Sequence, residues 1–414
     1  MAVLTIRQVV GMFFRRMVLS YASLYILALG GSSREIGLIN SLRPLAGLII
    51  FPISGHLTDR SGRVRIIVLA DVLNALTMFF YALAQDWRWL AACALLQGLM
   101  VFSFPPTSAI LADSLSPENR GLGIAAMNTV SNAVAMFSPY VAGALLVWLG
   151  DERGMRLLYA LMGLQYLFTA ALVYAKMEET STPQTQTQGL NPIKILKEAY
   201  LGAPRLLMDL SPTVLALGLV VLMGFISNAV SSPFWVVYVT EEVGLSKLEW
   251  GLVLLLESVA KVVLTIPAGI LTDRVGRWKV LLAATTIGLV SLPSLIFSKN
   301  LYHVLLVRLG AALSGALFVT SSAALMADYI PREMRGRVMA ALGRGSLLVG
   351  AAGGGTGGPA MGYLFILPVV LASVLGGNLY RLDPRAPWVA VAAASLVQVA
   401  VTGLWIRDPE EANV

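Results

Sequence analysis

Residues 55–63 read GHLTDRSGR, and residues 269–277 read GILTDRVGR, identical at seven of nine positions. This compact charged cluster recurs in a chain that is 57% hydrophobic and only 13% charged, with a mean hydropathy of +0.76. Soluble domains carry roughly 25% charged residues. The chain therefore reads as an integral membrane protein, and the repeat asks what two such clusters do in one.

Working outward, a shift of 214 also aligns Glu35 with Glu249 and Gly37 with Gly251. A shift of 215 aligns Asp113 with Asp328, Arg120 with Arg335 and Gly121 with Gly336. Apolar runs near twenty residues, long enough to cross the ~30 Å hydrocarbon layer, recur throughout. Twelve are expected, at 8–30, 36–57, 65–84, 88–112, 121–149, 155–175, 212–239, 248–271, 278–297, 302–327, 337–375 and 387–406. The runs are continuous, not alternating, so each backbone must satisfy itself as a helix and the fold class is all-α. Because six is even, the second copy runs parallel to the first, which predicts two pseudo-symmetric six-helix bundles around a shared interior.

The expected division is residues 1–176, a linker over 177–211, and 212–414. The linker contains EETSTPQTQTQG, polar and without apolar period, followed by Asn191 and Pro192 as the start of an interfacial helix with Ile193, Leu196, Tyr200 and Leu207 on its buried side. Placing both termini in the cytoplasm puts sixteen Lys and Arg residues in inner segments and eight in outer loops, the bias expected of an inner-membrane protein. The first run contains Arg15 and Arg16 and has no small-residue cleavage site after it, so it reads as a retained helix. Membrane topology also accounts for the net charge of +7 without nucleic acid, and a lone Cys93 allows neither an intrachain disulfide nor a zinc cluster. GAAGGGTGGPAMG, residues 350–362, predicts a break or kink in the eleventh helix near Gly353 to Pro359; no Lys-Ser or Lys-Thr follows to make a phosphate loop.

The pattern G-x-L-x-D-R-x-G-R resembles the loop between helices 2 and 3 of the major facilitator superfamily and its counterpart between helices 8 and 9. Asp113, Pro117, Arg120 and Gly121, echoed by Asp328, Pro331, Arg335 and Gly336, resemble the family's loops after helices 4 and 10. The resemblance implies a secondary transporter working by alternating access, with a cytoplasmic gate at Gly55, Asp59, Arg60, Gly62, Arg63, Asp113, Arg120, Gly269, Asp273, Arg274, Gly276, Arg277, Asp328 and Arg335. Ordinary topogenic loops would explain the arginines, but not the repeated Gly and Asp. Departures from the family stand beside it. The arginine found before a Gln-Gly pair in helix 4 is Ala94 here, and its repeat mate is Arg308; the antiporter pattern in helix 5 is reduced to Pro139 and Gly143.

Eight charges fall inside the expected spans: Arg15, Arg16, Arg43, Lys261, Arg308 and Arg344 against Asp71 and Glu257. Each would cost about 2.5 to 3.5 kcal/mol facing lipid at the bilayer centre, so most face protein or water. Arg43 and Glu257 are repeat mates and could pair between bundles, while Lys261, four residues after Glu257, is the intrahelical alternative. Asp71 is expected to partner a basic residue near the cytoplasmic surface. The basic excess predicts an anionic solute or one with an anionic head, attracted by Arg15, Arg16, Arg43 and Arg308. Asn40, Asn128, Asn132 and Asn228 are candidate hydrogen-bonding groups, although asparagines at i and i+4 can serve only to join helices. Tyr21, Tyr25 and Trp235 are candidate cavity linings. Glu257 with Lys261 is the candidate coupling pair.

Secondary active transport by a monomer, with proton coupling open, is the leading reading, and a facilitative uniporter or a non-transporting receptor is the alternative. Partners are then a small-molecule substrate, protons and membrane lipid, with no cofactor or metal. An enzyme is disfavoured because His56 and His303 have no Ser, Cys or second ligand placed with them.

Overall fold

The computed structural model describes residues 1–60, 62–116, 120–179, 200, 203–343 and 361–408. Its helices in chain order are α1 (Ala2–Leu19), α2 (Ala22–Ala28), α3 (Ser33–Arg60), α4 (Arg63–Ala82), α5 (Trp87–Leu99), α6 (Phe104–Asp113), α7 (Arg120–Ala135), α8 (Ser138–Leu149) and α9 (Asp151–Lys176). They continue as α10 (Ala203–Met208), α11 (Pro212–Ser231), α12 (Trp235–Glu241), α13 (Lys247–Val275), α14 (Arg277–Ser291), α15 (Leu301–Tyr329), α16 (Arg332–Leu342), α17 (Ile366–Leu382) and α18 (Ala386–Trp405). Joined across their breaks, these make twelve spans in two six-helix bundles.

Several spans are interrupted, each for a local reason. The first bends by 44° between α1 and α2, where the Ser20 hydroxyl donates to Arg16 O at 2.7 Å beside the backbone bond from Ser20 N at 3.2 Å. Proline stands at the restart of the other broken spans: Pro105 at α6, Pro139 at α8 and Pro233 before α12. α13 tolerates Pro267 and starts with a capping box, Ser246 with Glu249. Most of the expected linker, and the glycine-rich break expected at Gly353 to Pro359, lie outside the described residues. On the linker's far side the short α10 is followed by α11, whose Ser211 cap accepts from Val214 N.

With an even number of spans, α1 begins and α18 ends on one side of the molecule, here the terminus end, and the two bundles meet at the opposite end. There, one apolar core crosses between them, uniting Tyr21, Tyr25 and Ile36 with Trp235, Trp250 and Trp388. Toward the terminus end the cores separate: Leu4, Ile67, Ile110 and Val173 in the first bundle, Leu217, Leu281, Leu325 and Val338 in the second. The contacts that close the far end are backbone-close. A Cβ added to Gly37 of α3 would lie 2.6 Å from Ser373 O and 2.9 Å from Gly377 Cα of α17; one added to Gly251 of α13 would lie 2.7 Å from Pro139 O of α8. Small residues let transmembrane helices approach this way. Polar contacts seal the joint: Ser373 Oγ donates to Gly37 O at 3.1 Å, the Tyr21 hydroxyl lies 2.9 Å from Pro139 O and 2.8 Å from Lys247 O, and Lys247 Nζ pairs with Asp151 Oδ1 at 3.0 Å.

Candidate functional site

Within the second bundle, α13 carries Glu257 into a setting where both carboxylate oxygens meet cations. Oε2 accepts from Arg308 of α15, Nε at 2.9 Å and a terminal guanidinium nitrogen at 2.5 Å. Oε1 pairs with Lys261 Nζ at 2.6 Å, one turn along the same helix. Glu257 and Arg308 are 2% and 1% exposed, so neither charge could stand alone there without a large desolvation cost. Two indoles flank the arginine: its guanidinium carbon lies 4.3 Å from the Trp235 ring centroid and 5.9 Å from that of Trp250, an attraction worth up to about 2 kcal/mol when desolvated.

The inter-bundle pair of Arg43 with Glu257 is not formed. Arg308 is closer within the same bundle and saturates one oxygen, while Lys261 takes the other. Arg43 instead sits in the first bundle beside Asn40, Tyr81, Ala94, Gln97 and Tyr159. Its Nε is buried without a partner, and no ion pair is made by it among the described residues.

From α1, Arg16 donates to Asn132 Oδ1 at 2.7 Å, and Gln8 donates to Asn128 Oδ1 at 2.7 Å. The two asparagines thus join α1 to α7. Arg16 also stands within electrostatic range of Glu257, making it the first bundle's contribution near the cluster. Arg15 is exposed, and Arg344 lies outside the described residues. Asn40 donates to Ile36 O at 2.9 Å; Asn228 lines a polar pocket inside the second bundle with Ser227, Ser231, Gln398 and Arg308. Tyr21 bridges the bundles, and the Tyr25 hydroxyl donates to Tyr81 O at 2.9 Å, so both serve packing. Asp71 finds its basic partner in Arg7, which donates to both carboxylate oxygens at 2.9 and 2.7 Å.

At the terminus end, the repeated motif makes a symmetric pair of contacts. Arg63 of α4 pairs with Asp113 at the end of α6, and Arg277 of α14 pairs with Asp328 near the end of α15 at 2.9 Å. Each pair stays within its own bundle. Neither pair is itself a contact between the bundles. Arg335 donates to Ala327 O at 2.7 Å and to Ile330 O at 3.3 Å, closing the end of α15. Asp273 and Arg274 are exposed, and Gly269 faces open space. The helix backbone continues through Gly55, Asp59 and Arg60, whose side chains, like that of Arg120, lie outside the description.

Sequence reasoning missed a second symmetry. After α9, Glu179 accepts from the backbone N–H groups of Arg63, at 2.8 Å, and Val64, at 3.0 Å. After α18, Asp408 accepts from Trp278 N at 2.9 Å. Each bundle's last span thus returns a carboxylate to the positive N-terminus of its third helix, beside Gly62 and Gly276. Gly276 adopts a φ of +105°, which favours glycine there, whereas Gly62 has a φ of -42° and a Cβ on it would clash with the Glu179 carboxylate.

The Major Facilitator Superfamily model matches residues 4–227 and 217–414. The chain belongs to this superfamily. Among superfamily relatives, Multidrug resistance protein MdtG of Enterobacter lignolyticus (strain SCF1) is 26% identical over 334 residues, covering 78% of this chain and 76% of that protein. The Multi-drug resistance efflux pump PmrA homolog of Lactococcus lactis subsp. lactis (strain IL1403) is 30% identical over 166 residues, 39% of this chain and 41% of the relative. The superfamily fold is shared with the crystal structure of a bacterial homolog of the human lysosomal transporter Spinster, in an inward-facing and unoccupied conformation, at a TM-score of 0.66, 17% identity and coverage of 97% and 93%. Nucleoside transporter NupG (D323A mutant) aligns at a TM-score of 0.70 and 12% identity, covering 98% of this chain and 99% of that one. The chain is a multi-pass membrane transporter rather than an enzyme.

Proposed function

We propose that this transporter moves a small organic solute with an anionic head by alternating access, coupled to protons through Glu257, Lys261 and Arg308, with Arg16, Arg43 and Arg15 drawing the substrate in. One observation carries the reading. The described charges within the expected spans, the exposed Arg15 together with Arg16, Arg43, Lys261 and Arg308, are set against one carboxylate, Glu257, since Asp71 is engaged by Arg7. A solute anion offsets that excess where the protein does not.

Both termini are assigned to the cytoplasm on the basic bias of the loops, which makes the present conformation inward-facing in a bacterial inner membrane. The bundles are taken as residues 1–176 and 212–414, working as a monomer, and Arg63, Asp113, Arg277 and Asp328 as parts of a cytoplasmic gate whose other members engage when that end closes. The relatives' names, multidrug resistance protein and efflux pump, favour export.

The test is transport into inside-out proteoliposomes of a labelled arylcarboxylate and its neutral amide, with and without an imposed pH gradient. Gradient-driven accumulation of the acid alone is expected, lost in Glu257→Gln while substrate exchange persists. Equal movement of acid and amide would refute the anionic preference. Accumulation unchanged in Glu257→Gln would refute coupling through this carboxylate.

A further inference from the structure

The repeat offers an internal comparison. Position 43 is the mate of 257, and position 94 is the mate of 308, each by a shift of 214. In the second bundle these mates are Glu257 and Arg308, bonded to one another. In the first bundle they are Arg43 and Ala94, which border one pocket. α3 and α5 also approach closely at this level, since a Cβ on Gly98 would clash with the Arg43 carbonyl and lie 2.6 Å from Ala46 Cβ. The first bundle therefore keeps the cation, has only a methyl group where its partner would stand, and leaves a space over that methyl.

What surrounds the space fits a particular ligand. Among the described residues, the charged and phenolic groups acting on Arg43 are Arg15, Tyr81, Tyr159 and Tyr166, with no acid among them. Tyr81 and Tyr159 stack at 4.6 Å between ring centroids and line the pocket, as do the amides of Asn40 and Gln97. The lining also includes the apolar Leu19, Ile26 and Leu90. A guanidinium, hydrogen-bonding amides and aliphatic side chains around one space suit a carboxylate on a short hydrocarbon tail.

We propose that this pocket within the first bundle is a carboxylate-binding subsite, in which a ligand anion on Arg43 forms over Ala94 the counterpart of the Glu257 and Arg308 pair with its charges exchanged. The subsite deepens the reading of an anionic substrate and rests on that reading for its part in transport.

The test uses the full-length protein in detergent, with butyrate as probe and butyramide as the uncharged control. Butyrate is expected to raise the melting temperature of wild type and butyramide to leave it unchanged. Arg43→Gln should weaken butyrate binding by roughly 10- to 100-fold, the loss of a charge-assisted contact. Ala94→Glu supplies the missing acid, so it should raise the melting temperature without ligand and abolish the butyrate shift; if that variant does not fold, the Arg43→Gln arm decides alone. A butyrate shift that survives Arg43→Gln overturns the subsite and leaves the anionic reading standing. Loss of the shift in Arg43→Gln, together with transport indifferent to substrate charge, supports the subsite and overturns that reading.

Discussion

Glu257 holds two cations in place, and the three charges stabilise one another only as a set. Removing its charge in Glu257→Gln takes the carboxylate from the buried Arg308 and sets that cation against the one-third-exposed Lys261, which costs about 3 to 5 kcal/mol. Denaturation in detergent should register a loss of that size; an unchanged midpoint would mean that water reaches and screens the cluster. All three charges stood out in the sequence as intramembrane ionisable residues. The Arg308 contact did not, because it joins residues 51 apart and depends on how α13 packs against α15. A signal was nevertheless present: α3 and α5 are the repeat mates of α13 and α15, so the same two positions had to face each other in both bundles. Asn128 and Asn132 show the converse limit, since an asparagine at helical spacing reads alike whether it meets a substrate or, as here, a neighbouring helix.

Between elements, the motif arginines tie each bundle's third helix to the end of its fourth span. Asp328 is largely buried at 13% exposure and Asp113 is open at 45%, so Asp328→Asn should cost more than Asp113→Asn, which falls in the range of about 0 to 1 kcal/mol for exposed pairs. Asp328→Asn is expected to slow transport several-fold, and the exchange Arg277→Asp with Asp328→Arg to recover most of it. Failure of the exchange to recover any activity would mean that these residues act through other partners. On the far side, Gly37→Ala should prise α3 from α17. In a background with Cys93 replaced, a cysteine substituted for the buried Ile39 should then react faster with a membrane-impermeant thiol reagent, and an unaltered rate would contradict this account of closure. The spans themselves were legible because hydropathy and the period of 214 are global signals. Their breaks were less so: Pro139 and Pro233 mark sites where a helix can stop, whereas no proline stands at the 44° bend near Ser20.

For the whole molecule, two bundles share one apolar core at the far end and have separate cores at the terminus end. Close glycine contacts permit a tight seal on one side; the polar motifs on the other carry the residues for a second, alternative seal. Duplication was the strongest sequence signal for this architecture. Which end is closed was not legible, because both ends carry the small and polar residues that closure requires, and only packing distinguishes them. The most direct test is a pair of distances measured by double electron–electron resonance in nanodiscs. One pair of spin labels replaces Arg65 and Lys279 at the terminus end, and the other replaces Arg153 and Glu242 at the far end, all exposed positions. Bundles that rock about a central cavity predict opposite changes when substrate and a pH gradient are applied, the terminus-end distance shortening as the far-end distance lengthens. Two distances that shift together, or neither shifting while transport proceeds, would contradict it.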